Sequence, residues 1–416
     1  DGFAFVALSW ITVSLFGSLP FVFSGAIPSF IDAFFETSSG FTTTGSTILK
    51  QIEGMPMGVL FWRHFIIWMG GMGVLVLTLA VLPSVGASFF HVMKAESTGP
   101  STEKLVPKLG QTAKILYTIY IVMTAILVSA LLFSGMSPYD ALVHAFSTAG
   151  TGGFSSRNLS VGAYGNVFIE VIITVFMFLF GVNFSLYFQL IKGKIRGFFK
   201  NQEFRFYLGT VLIAILLITA DLSLNGLFSV GESVRYSSFQ VSSIITTTGF
   251  STRDFNLWPV FSKIILVVLM FIGASAGSTG GGMKCIRFVL MFKIVKREIM
   301  NIRHPRAVHT VKIDGKSVDN GVLTNVMAFF FVYIIVFVSA VILVSLDGFD
   351  LVTTVTSVAA VISNVGPGLG DVGPMGNFSA FSGFSKILLS FCMIAGRLEI
   401  FPMLVLFSPS SFKKSI

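Results

Sequence analysis

Apolar stretches long enough to cross a membrane alternate along this chain with shorter, semi-polar segments. A spanning helix needs about 20 mostly apolar residues, and eight runs come near that length. These runs are 3–25, 57–82, 112–134, 163–190, 204–228, 257–292, 321–346 and 383–407. Between the two members of each successive pair lies a segment of about 12 residues, too short to span a bilayer. The pattern predicts an all-α polytopic membrane protein.

The short segments end alike, in clusters of small and hydroxyl residues. They begin near Ile31, Pro138, Tyr236 and Phe349. The clusters that end them are TTTGS at 42–46, TGGF at 151–154, TTTGF at 246–250 and NVGPGLG at 364–370. The order helix, short helix, Gly-rich loop, helix therefore occurs four times, which indicates an internal repeat.

The spacing of one glycine in each cluster supports this repeat. Taking Gly45, Gly153, Gly249 and Gly366 as equivalent gives intervals of 108, 96 and 117 residues. The predicted units are repeat 1 at 1–90, repeat 2 at 91–195, repeat 3 at 196–310 and repeat 4 at 311–416. Each contributes an even number of spanning helices, so all four share one orientation. The prediction is four parallel helix–pore-loop–helix repeats around a central pseudo-fourfold pore.

The composition agrees with a membrane protein and excludes other classes. Of 416 residues, 54% are hydrophobic and 11% are charged, whereas soluble domains carry about 25% charged residues. Disordered proteins and ordinary soluble enzymes are therefore excluded. The two cysteines, Cys285 and Cys392, lie in apolar stretches and indicate no disulfide framework. The chain starts at Asp1 and runs directly into an apolar helix, so we expect a segment upstream of it.

Lys and Arg residues are concentrated in the connections between repeats. The connections 83–111, 191–205 and 293–320 carry 3, 5 and 7 of them, and Lys413 and Lys414 lie near the end of the chain. By the positive-inside rule these connections face the cytoplasm, and the Gly clusters then open to the outside. The net charge of +9 therefore marks a cytoplasmic face, and we expect no nucleic-acid partner.

The Gly clusters suggest a path for a dehydrated cation. Irregular backbone at membrane depth is tolerated only where it is buried or lines a wet cavity. Glycine lets successive carbonyl oxygens turn toward an axis, and a ring of carbonyls can replace the hydration shell of a cation. The four clusters contain no carboxylate, which favours a monovalent ion. The alternative is that Gly and Thr only allow close helix packing; four matched copies argue against it.

These clusters, on a fourfold repeat, resemble the Trk/Ktr/HKT superfamily of potassium transporters, and in particular its bacterial TrkH type. GRLEIF at 396–401 and NIRHPRAV at 301–308 also look like that subfamily. TrkH-type proteins have an additional N-terminal helix pair, which is absent from this sequence. The filter and gate motifs are unaffected by this difference.

The resemblance implies a potassium-selective pore that takes up K⁺ through a carbonyl-lined selectivity filter. In sodium-permeable plant members the filter glycine of the first repeat can be replaced by serine. All four are glycine here, which implies a preference for potassium. K⁺ is then the transported ion, and the chain itself holds no cofactor. The filter residues implied are Thr43, Thr44, Gly45, Thr151, Gly152, Gly153, Thr247, Thr248, Gly249, Asn364, Val365 and Gly366.

A glycine-rich segment, GASAGSTGGGMK at 273–284, interrupts the second apolar run of repeat 3. Each glycine in a helix costs roughly 1 kcal/mol relative to alanine, so this run predicts a mobile plug rather than a continuous helix. A tight kink for helix packing is the alternative. By resemblance it is an intramembrane loop beneath the filter that acts as a gate. The gate residues are Gly277, Gly280, Gly281, Gly282 and Lys284. Lys284 either caps the loop by binding carbonyls or lies near the cytoplasmic face.

Arg63, His64 and Arg397 are basic side chains that lie inside apolar runs. An Arg near the bilayer centre costs about 2.5–3.5 kcal/mol on insertion scales. We interpret Arg397 as a charge that projects into the pore below the filter, raises the barrier for cations and contacts 273–284. The alternative is a structural ion pair, for example with Glu399. Arg63 and His64, at the start of the second run of repeat 1, are interpreted as interfacial.

Two other functions compete with a channel-like pore as interpretations of the sequence. An intramembrane enzyme would need clustered acids, bases or a nucleophile, whereas the five His residues are scattered. The second is an H⁺- or Na⁺-coupled cation symporter of the same fold with alternating access, although carriers are commonly built from inverted repeats. The residues identify no coupling ion.

The resemblance also implies partners and a location. It predicts a homodimer with one pore per protomer in the bacterial inner (plasma) membrane, surrounded by lipid, with the filter facing the periplasm or outside. It predicts a cytosolic nucleotide-binding regulatory ring of the TrkA type. The chain has no Walker motif, so ATP, ADP or NAD would bind only through that partner.

Overall fold

The computed structural model describes residues 2–73, 109–307 and 309–406. Lys94, Lys104 and Lys108 of the first connection, and Lys413 and Lys414 near the C-terminus, lie outside these ranges. Within them the chain is mainly helical. A small antiparallel hairpin pairs Lys312–Ile313 with Lys316–Ser317, so that Lys312 lies opposite Ser317.

Each repeat contains one long apolar helix ahead of its short helix, which we call its first helix. All four are long and apolar enough to cross a membrane. Their bounds are Gly2–Gly17 with its continuation Leu19–Phe23, Leu109–Phe133, Gln202–Leu224 and Asn320–Val344. Large apolar side chains such as Leu216 and Phe331 are exposed on them. An apolar exposed face is expected where the surrounding solvent is hydrocarbon.

A short helix follows each first helix and starts at a side-chain cap. The short helices are Phe30–Phe41, Pro138–Gly150, Val230–Ile245 and Leu351–Ile362. Ser29, Ser137 and Ser229 each accept a hydrogen bond from a backbone amide three residues on, and Asp350 accepts two. Such caps satisfy amides that the first turn leaves unpaired. The predicted start near Tyr236 was wrong, because the Ser229 cap begins the third short helix at Val230.

The second helix of each repeat is shorter than its apolar run predicted. These helices are Met57–Gly71, Val167–Phe180 with Phe184–Ile191, Val260–Ile272 with Cys285–Arg303, and Gly383–Arg397 with Phe401–Val405. Among the described residues four helices qualify as spans, or five if the pair at 167–191, bent by 92°, is one span. The second runs of repeats 2 and 4 are therefore broken as well as that of repeat 3, where the sequence predicted a break. The remainder of the run 57–82, beyond Gly73, lies outside the described residues.

Two of the breaks had no glycine-rich signal. In repeat 2, Asn183 accepts from the amide of Ser185 and caps a new helix after the bend. In repeat 4, Glu399 and Ile400 have positive φ angles of 58° and 66°, and the amide of Ile400 bonds back to the carbonyl of Ala395 at 2.7 Å. A β-branched residue in this backbone region is an outlier that tertiary contacts must hold.

Packing between repeats closes the four units into a ring. The second helix of each of repeats 1, 2 and 3 packs on the short helix of the next repeat. The second helix of repeat 4 packs on the short helix of repeat 1 and completes the circle. The short helices, which are largely buried, therefore surround one axis and bring their C-termini together.

Candidate functional site

The loops that follow the four short helices share one backbone conformation. Each begins with a non-glycine residue in the left-handed region, and a glycine of positive φ follows two residues later. The first set is Thr43, Thr151, Thr247 and Asn364 at 56°, 55°, 58° and 55°; the second is Gly45, Gly153, Gly249 and Gly366 at 82°, 62°, 80° and 102°. Threonine rarely adopts this region, so three strained threonines at matched places mark a constrained site.

The strain has a local cause at the helix ends. The residue after each left-handed one donates its amide to a carbonyl five residues earlier: Thr44 to Ser39, Gly152 to Ser147, Thr248 to Ser243 and Val365 to Ala360, at 2.8–2.9 Å. This is a Schellman ending, which needs a left-handed residue. The four loops therefore leave their helices in the same way and run toward the shared axis.

The loops meet one another in a closed circle, which we call the loop ring. A Cβ atom added to Gly45 would collide with the carbonyl oxygen of Gly152. A Cβ atom added to any of the other three glycines would also collide with a carbonyl oxygen of the next repeat. The pairs are Gly153 with Thr248, Gly249 with Val365, and Gly366 with Thr44. Any side chain at these glycines must displace a backbone carbonyl of the next repeat. All four border one cavity of about 110 Å³.

Side-chain hydrogen bonds within and between repeats also stabilise the loop ring. The hydroxyls of Thr42 and Thr44 lie 2.7 Å apart, and those of Thr246 and Thr248 lie 2.8 Å apart. Asn364 donates its amide to the hydroxyl of Thr44 at 2.9 Å and so joins repeat 4 to repeat 1. The twelve residues predicted as the filter thus lie together, and their role in holding an ion stays a prediction.

The segment 273–284 packs directly against the loop ring. The amide of Gly281 donates to the hydroxyl of Thr247 at 2.6 Å, and that of Gly282 to the carbonyl of Ser363 at 2.9 Å. At the break in repeat 2, the amide of Ser275 donates to the carbonyl of Gly181 at 3.1 Å. The segment is therefore bonded to repeats 2, 3 and 4.

Arg397 connects this segment to repeat 1. Its guanidinium donates to the carbonyl of Thr279 at 2.7 Å, to the hydroxyl of Thr43 at 3.3 Å, and to the carbonyls of Gly70 and Gly71 at 2.6 and 2.8 Å. Those two glycines end the second helix of repeat 1, where helix carbonyls lack intrahelical donors. A cation at this place is favourable because a helix C-terminus carries partial negative charge.

Two other charged residues hold the segment 273–284. Lys284 is buried and has a positive φ of 72°. Its ammonium group donates to the carbonyl of Gly280, which is the capping contact that the sequence suggested as one alternative. Glu203 on the first helix of repeat 3 accepts from the amide of Ala276 at 2.7 Å and from that of Ile286 at 3.1 Å. Its carboxylate thus holds the segment near both ends.

The chain matches, over residues 1–416, the family model described as "TrkH: Cation transport protein". It belongs to the TrkH family. Proteins of this family are cation transporters and not enzymes, and the helical, polytopic membrane fold predicted from the sequence is confirmed.

Curated TrkH-family relatives match along nearly the whole chain. The Trk system potassium uptake protein TrkH of Salmonella typhimurium is 38% identical over 418 residues, covering 100% of this chain and 86% of the relative. The potassium uptake protein TrkI of Halomonas elongata is 33% identical and covers 99% of this chain and 84% of the relative. The crystal structure of the potassium transporter TrkH from Vibrio parahaemolyticus has a TM-score of 0.88 at 36% identity, covering 99% of this chain and 86% of that one.

The interpretation of Arg63 and His64 as interfacial residues was wrong. Both are buried, at 1% and 0% exposure, and Arg63 forms an ion pair with Glu36 at 2.7 Å. The signal was available in the sequence: Glu36 is a carboxylate within a short apolar helix of the same repeat. Glu203 was missed as well, because a carboxylate at a helix start is usually solvated, and only the fold turns it inward.

The loop of repeat 4 contains a glycine pattern that is also found in nucleotide-binding folds. The letters GLGDVG at 368–373 fit the dinucleotide-binding pattern GxGxxG. In the structure they follow a short helix and contain a single turn of 3₁₀ helix at Gly370–Val372. The strand that should precede the motif in a nucleotide fold is replaced here by a helix.

Proposed function

We propose that this chain is the pore-forming subunit of a potassium uptake system, and that K⁺ crosses the membrane through the loop ring. One observation carries the proposal: four loops of matching conformation close a circle in which each glycine lies against a backbone carbonyl of the next repeat. A ring of carbonyls is the means by which potassium filters replace a hydration shell.

The surroundings of the loop ring favour a monovalent cation. Four short helices end at the ring and direct their partial negative charge toward it. The four Gly clusters at 42–46, 151–154, 246–250 and 364–370 contain no carboxylate, and a divalent cation would favour a ring of acids. The relatives from Salmonella typhimurium and Escherichia coli are named potassium uptake proteins, which supports K⁺ as the transported ion.

In this proposal the segment 273–284 is the gate, and Arg397 is the residue that holds it in the closed position. Hydrogen bonds to Thr247 and from Arg397 support a position of the segment directly against the loop ring. The arginine adds a positive charge on the path of an approaching cation. Opening then requires the segment to leave Thr247 and Arg397 to release the carbonyl of Thr279.

The proposal extends to the setting of the protein. The loop ring opens to the periplasm of a bacterial inner membrane, the chain forms a homodimer, and a nucleotide-binding ring acts on its cytosolic face. The name "Trk system" of the relatives supports a multi-component assembly. The basic connections 191–205 and 293–320 offer the partner a cationic surface.

Rb⁺ uptake into proteoliposomes tests the proposal. We expect uptake by the purified protein to be suppressed by external K⁺ and to be insensitive to equal concentrations of Na⁺ or choline, with protein-free liposomes as the control. Equal competition by Na⁺ and K⁺ would contradict potassium selectivity. Uptake that occurs only when a proton or sodium gradient is imposed would favour the coupled symporter instead.

A further inference from the structure

A buried ion pair lies beside the loop ring and belongs neither to the ring nor to the gate. Arg63, on the second helix of repeat 1, donates its Nε to Oε1 of Glu36, on the short helix of the same repeat, at 2.7 Å. Neither side chain is more than 1% exposed. Such a pair is weak evidence for stability, because both charges lose their hydration. The groups that Glu36 and Arg63 bind besides each other therefore indicate the role of the pair.

Glu36 holds the segment just outside the loop of repeat 1. Its carboxylate accepts hydrogen bonds from the hydroxyl of Thr47 at 2.9 and 3.1 Å and from the amide of Ile48 at 2.9 Å. The preceding residue, Ser46, donates its hydroxyl to the carbonyl of Gly366 at 3.0 Å. The carboxylate thus fixes the place where the loop of repeat 1 meets that of repeat 4.

Arg63 holds the corresponding segment of repeat 2. Its guanidinium carbon lies 3.4 Å from the centre of the Phe154 ring, and its Nη1 donates to the carbonyl of Ser155 at 3.2 Å. Phe154 directly follows Gly153 of the loop ring. The planar guanidinium makes the ion pair, the carbonyl contact and the stacking contact at once, which a lysine ammonium would not. One side chain therefore joins the outer segments of two repeats.

The same arrangement recurs within repeat 2 without the ion pair. His144 takes the place of Glu36, nine residues before the loop glycine, and Ser155 takes the place of Thr47. Nδ1 of His144 donates to the carbonyl of Asp140 at 2.8 Å, so Nε2 accepts from the hydroxyl of Ser155 at 2.9 Å. Ser155 is therefore held through its hydroxyl by its own repeat and through its carbonyl by Arg63.

The equivalent positions in repeats 3 and 4 carry neutral residues, Gln240 and Ser357. There the outer segments are held by hydroxyls: Ser243 donates to the carbonyl of Phe250 at 2.6 Å, and Thr356 accepts from the amide of Leu369 at 2.8 Å. The ion pair thus belongs to repeat 1, and its contacts hold the outer segments of repeats 1 and 2 at the outer mouth of the ring.

We propose that Arg63 and Glu36 are positioning residues for ion selectivity. They hold the outer segments of repeats 1 and 2 at a fixed separation, so the ring carbonyls cannot close around an ion smaller than K⁺. This inference rests on the proposed function of the loop ring. It predicts that loss of the ion pair lowers selectivity and leaves uptake itself in place.

The double variant Glu36→Gln/Arg63→Met in the full chain tests this. It leaves no buried unpaired charge, keeps a glutamine oxygen for Thr47 and Ile48, and removes the contacts to Phe154 and Ser155. We expect the Na⁺-to-K⁺ permeability ratio, from reversal potentials in planar bilayers, to rise about tenfold, a change equivalent to about 1.4 kcal/mol. Rb⁺ uptake should persist.

A second ion pair in the protein supplies the matched control. Arg235 binds Glu170 through two hydrogen bonds of 2.6 Å and also joins a short helix to a second helix. The variant Glu170→Gln/Arg235→Met should keep the wild-type permeability ratio, and thermal unfolding in detergent shows whether both double variants are folded.

A milder variant keeps the test decisive if the double variant does not fold. Thr47→Val removes one hydroxyl that Glu36 holds, and should raise the permeability ratio less but in the same direction. A wild-type ratio in Thr47→Val and in any folded Glu36→Gln/Arg63→Met protein overturns the inference. Wild-type protein without potassium-selective uptake would refute the proposed function instead.

Discussion

The four positions of the loop ring require glycine for two reasons, the positive φ angle of the backbone and the lack of space for a Cβ atom. At Gly45 a positive φ of 82° coincides with a carbonyl oxygen of repeat 2 at the place a Cβ would take. Gly54 has a similar φ of 94°, yet nothing lies within 4 Å of a Cβ there. Comparing substitutions at Gly45 and Gly54 therefore separates the effect of backbone strain from the effect of displacing a ring carbonyl.

Gly45→Ser is expected to reduce selectivity for K⁺ over Na⁺ by about tenfold, equivalent to about 1.4 kcal/mol. The new Cβ pushes the carbonyl of Gly152 out of its position, so the ring no longer matches one ion. Reversal potentials in a bilayer measure the change. Gly54→Ser, which carries a comparable backbone strain, should keep the wild-type value; an unchanged reversal potential in Gly45→Ser would refute the filter assignment.

Helix ends, rather than whole helices, form the candidate functional site of this fold. The short helices stop at the loop ring, and the second helices stop or break near the segment 273–284. Arg397 and the segment satisfy carbonyls that these ends leave free, at Gly70, Gly71 and Gly181. The segment 273–284 and Arg397 thus pair backbone carbonyls that the broken helices leave free. Irregular backbone at membrane depth is tolerated where its polar groups are buried and satisfied in this way.

Deletion of 276–281 is expected to raise basal Rb⁺ uptake by about tenfold or more, because the deletion removes the atoms packed against the ring. Arg397→Ala should give a smaller rise, because it removes only one hydrogen bond to the segment, at the carbonyl of Thr279, and Glu203 still holds the segment. Uptake into proteoliposomes without a partner protein measures both.

Arg297→Ala is a suitable control for these gate variants. This side chain pairs with Glu298 near the far end of the helix that follows the segment, well away from the ring in sequence and in contacts. Its uptake should equal that of the wild type. Equal or lower uptake in the deletion variant would show that 273–284 does not close the pathway.

The four repeats form a ring because each second helix packs on the next short helix and the fourth returns to the first. Pseudo-symmetry then places four unlike loops at equal positions around one axis. The same arrangement separates the two ends of the molecule, with Lys50 beside the loop cavity and Lys316 in the hairpin that follows the basic helix Cys285–Arg303. Both lysines are exposed.

Membrane orientation can be measured with single cysteines at these two lysines. Lys50→Cys should react with a membrane-impermeant maleimide in intact cells, and Lys316→Cys only after permeabilisation, because the basic connections stay in the cytoplasm. The native Cys285 and Cys392 are 0% and 1% exposed and give little background. Labelling of Lys316→Cys in intact cells would reverse the proposed orientation.

Much of the architecture follows from local patterns in the sequence. Apolar runs separated by short segments predict the polytopic helical fold, and the match to the TrkH family confirms it. Caps such as Ser137 and clusters such as TTTGS mark helix starts and ends, because their hydrogen bonds join residues a few positions apart. The break at 273–284 was equally visible, since five glycines in ten residues cannot sustain a helix.

The contacts that define the site join residues far apart in the chain, and no local pattern encodes them. Gly45 meets Gly152, Arg397 meets Gly70, and Arg63 meets Ser155 only once the four repeats have packed around a common axis. The breaks at 181–183 and 398–400 also depend on neighbours, because isolated polar or strained residues do not end an apolar helix unless other elements satisfy the freed backbone. The sequence thus determines the repeats and their loops, while packing determines which carbonyl each glycine faces and which charges become buried partners.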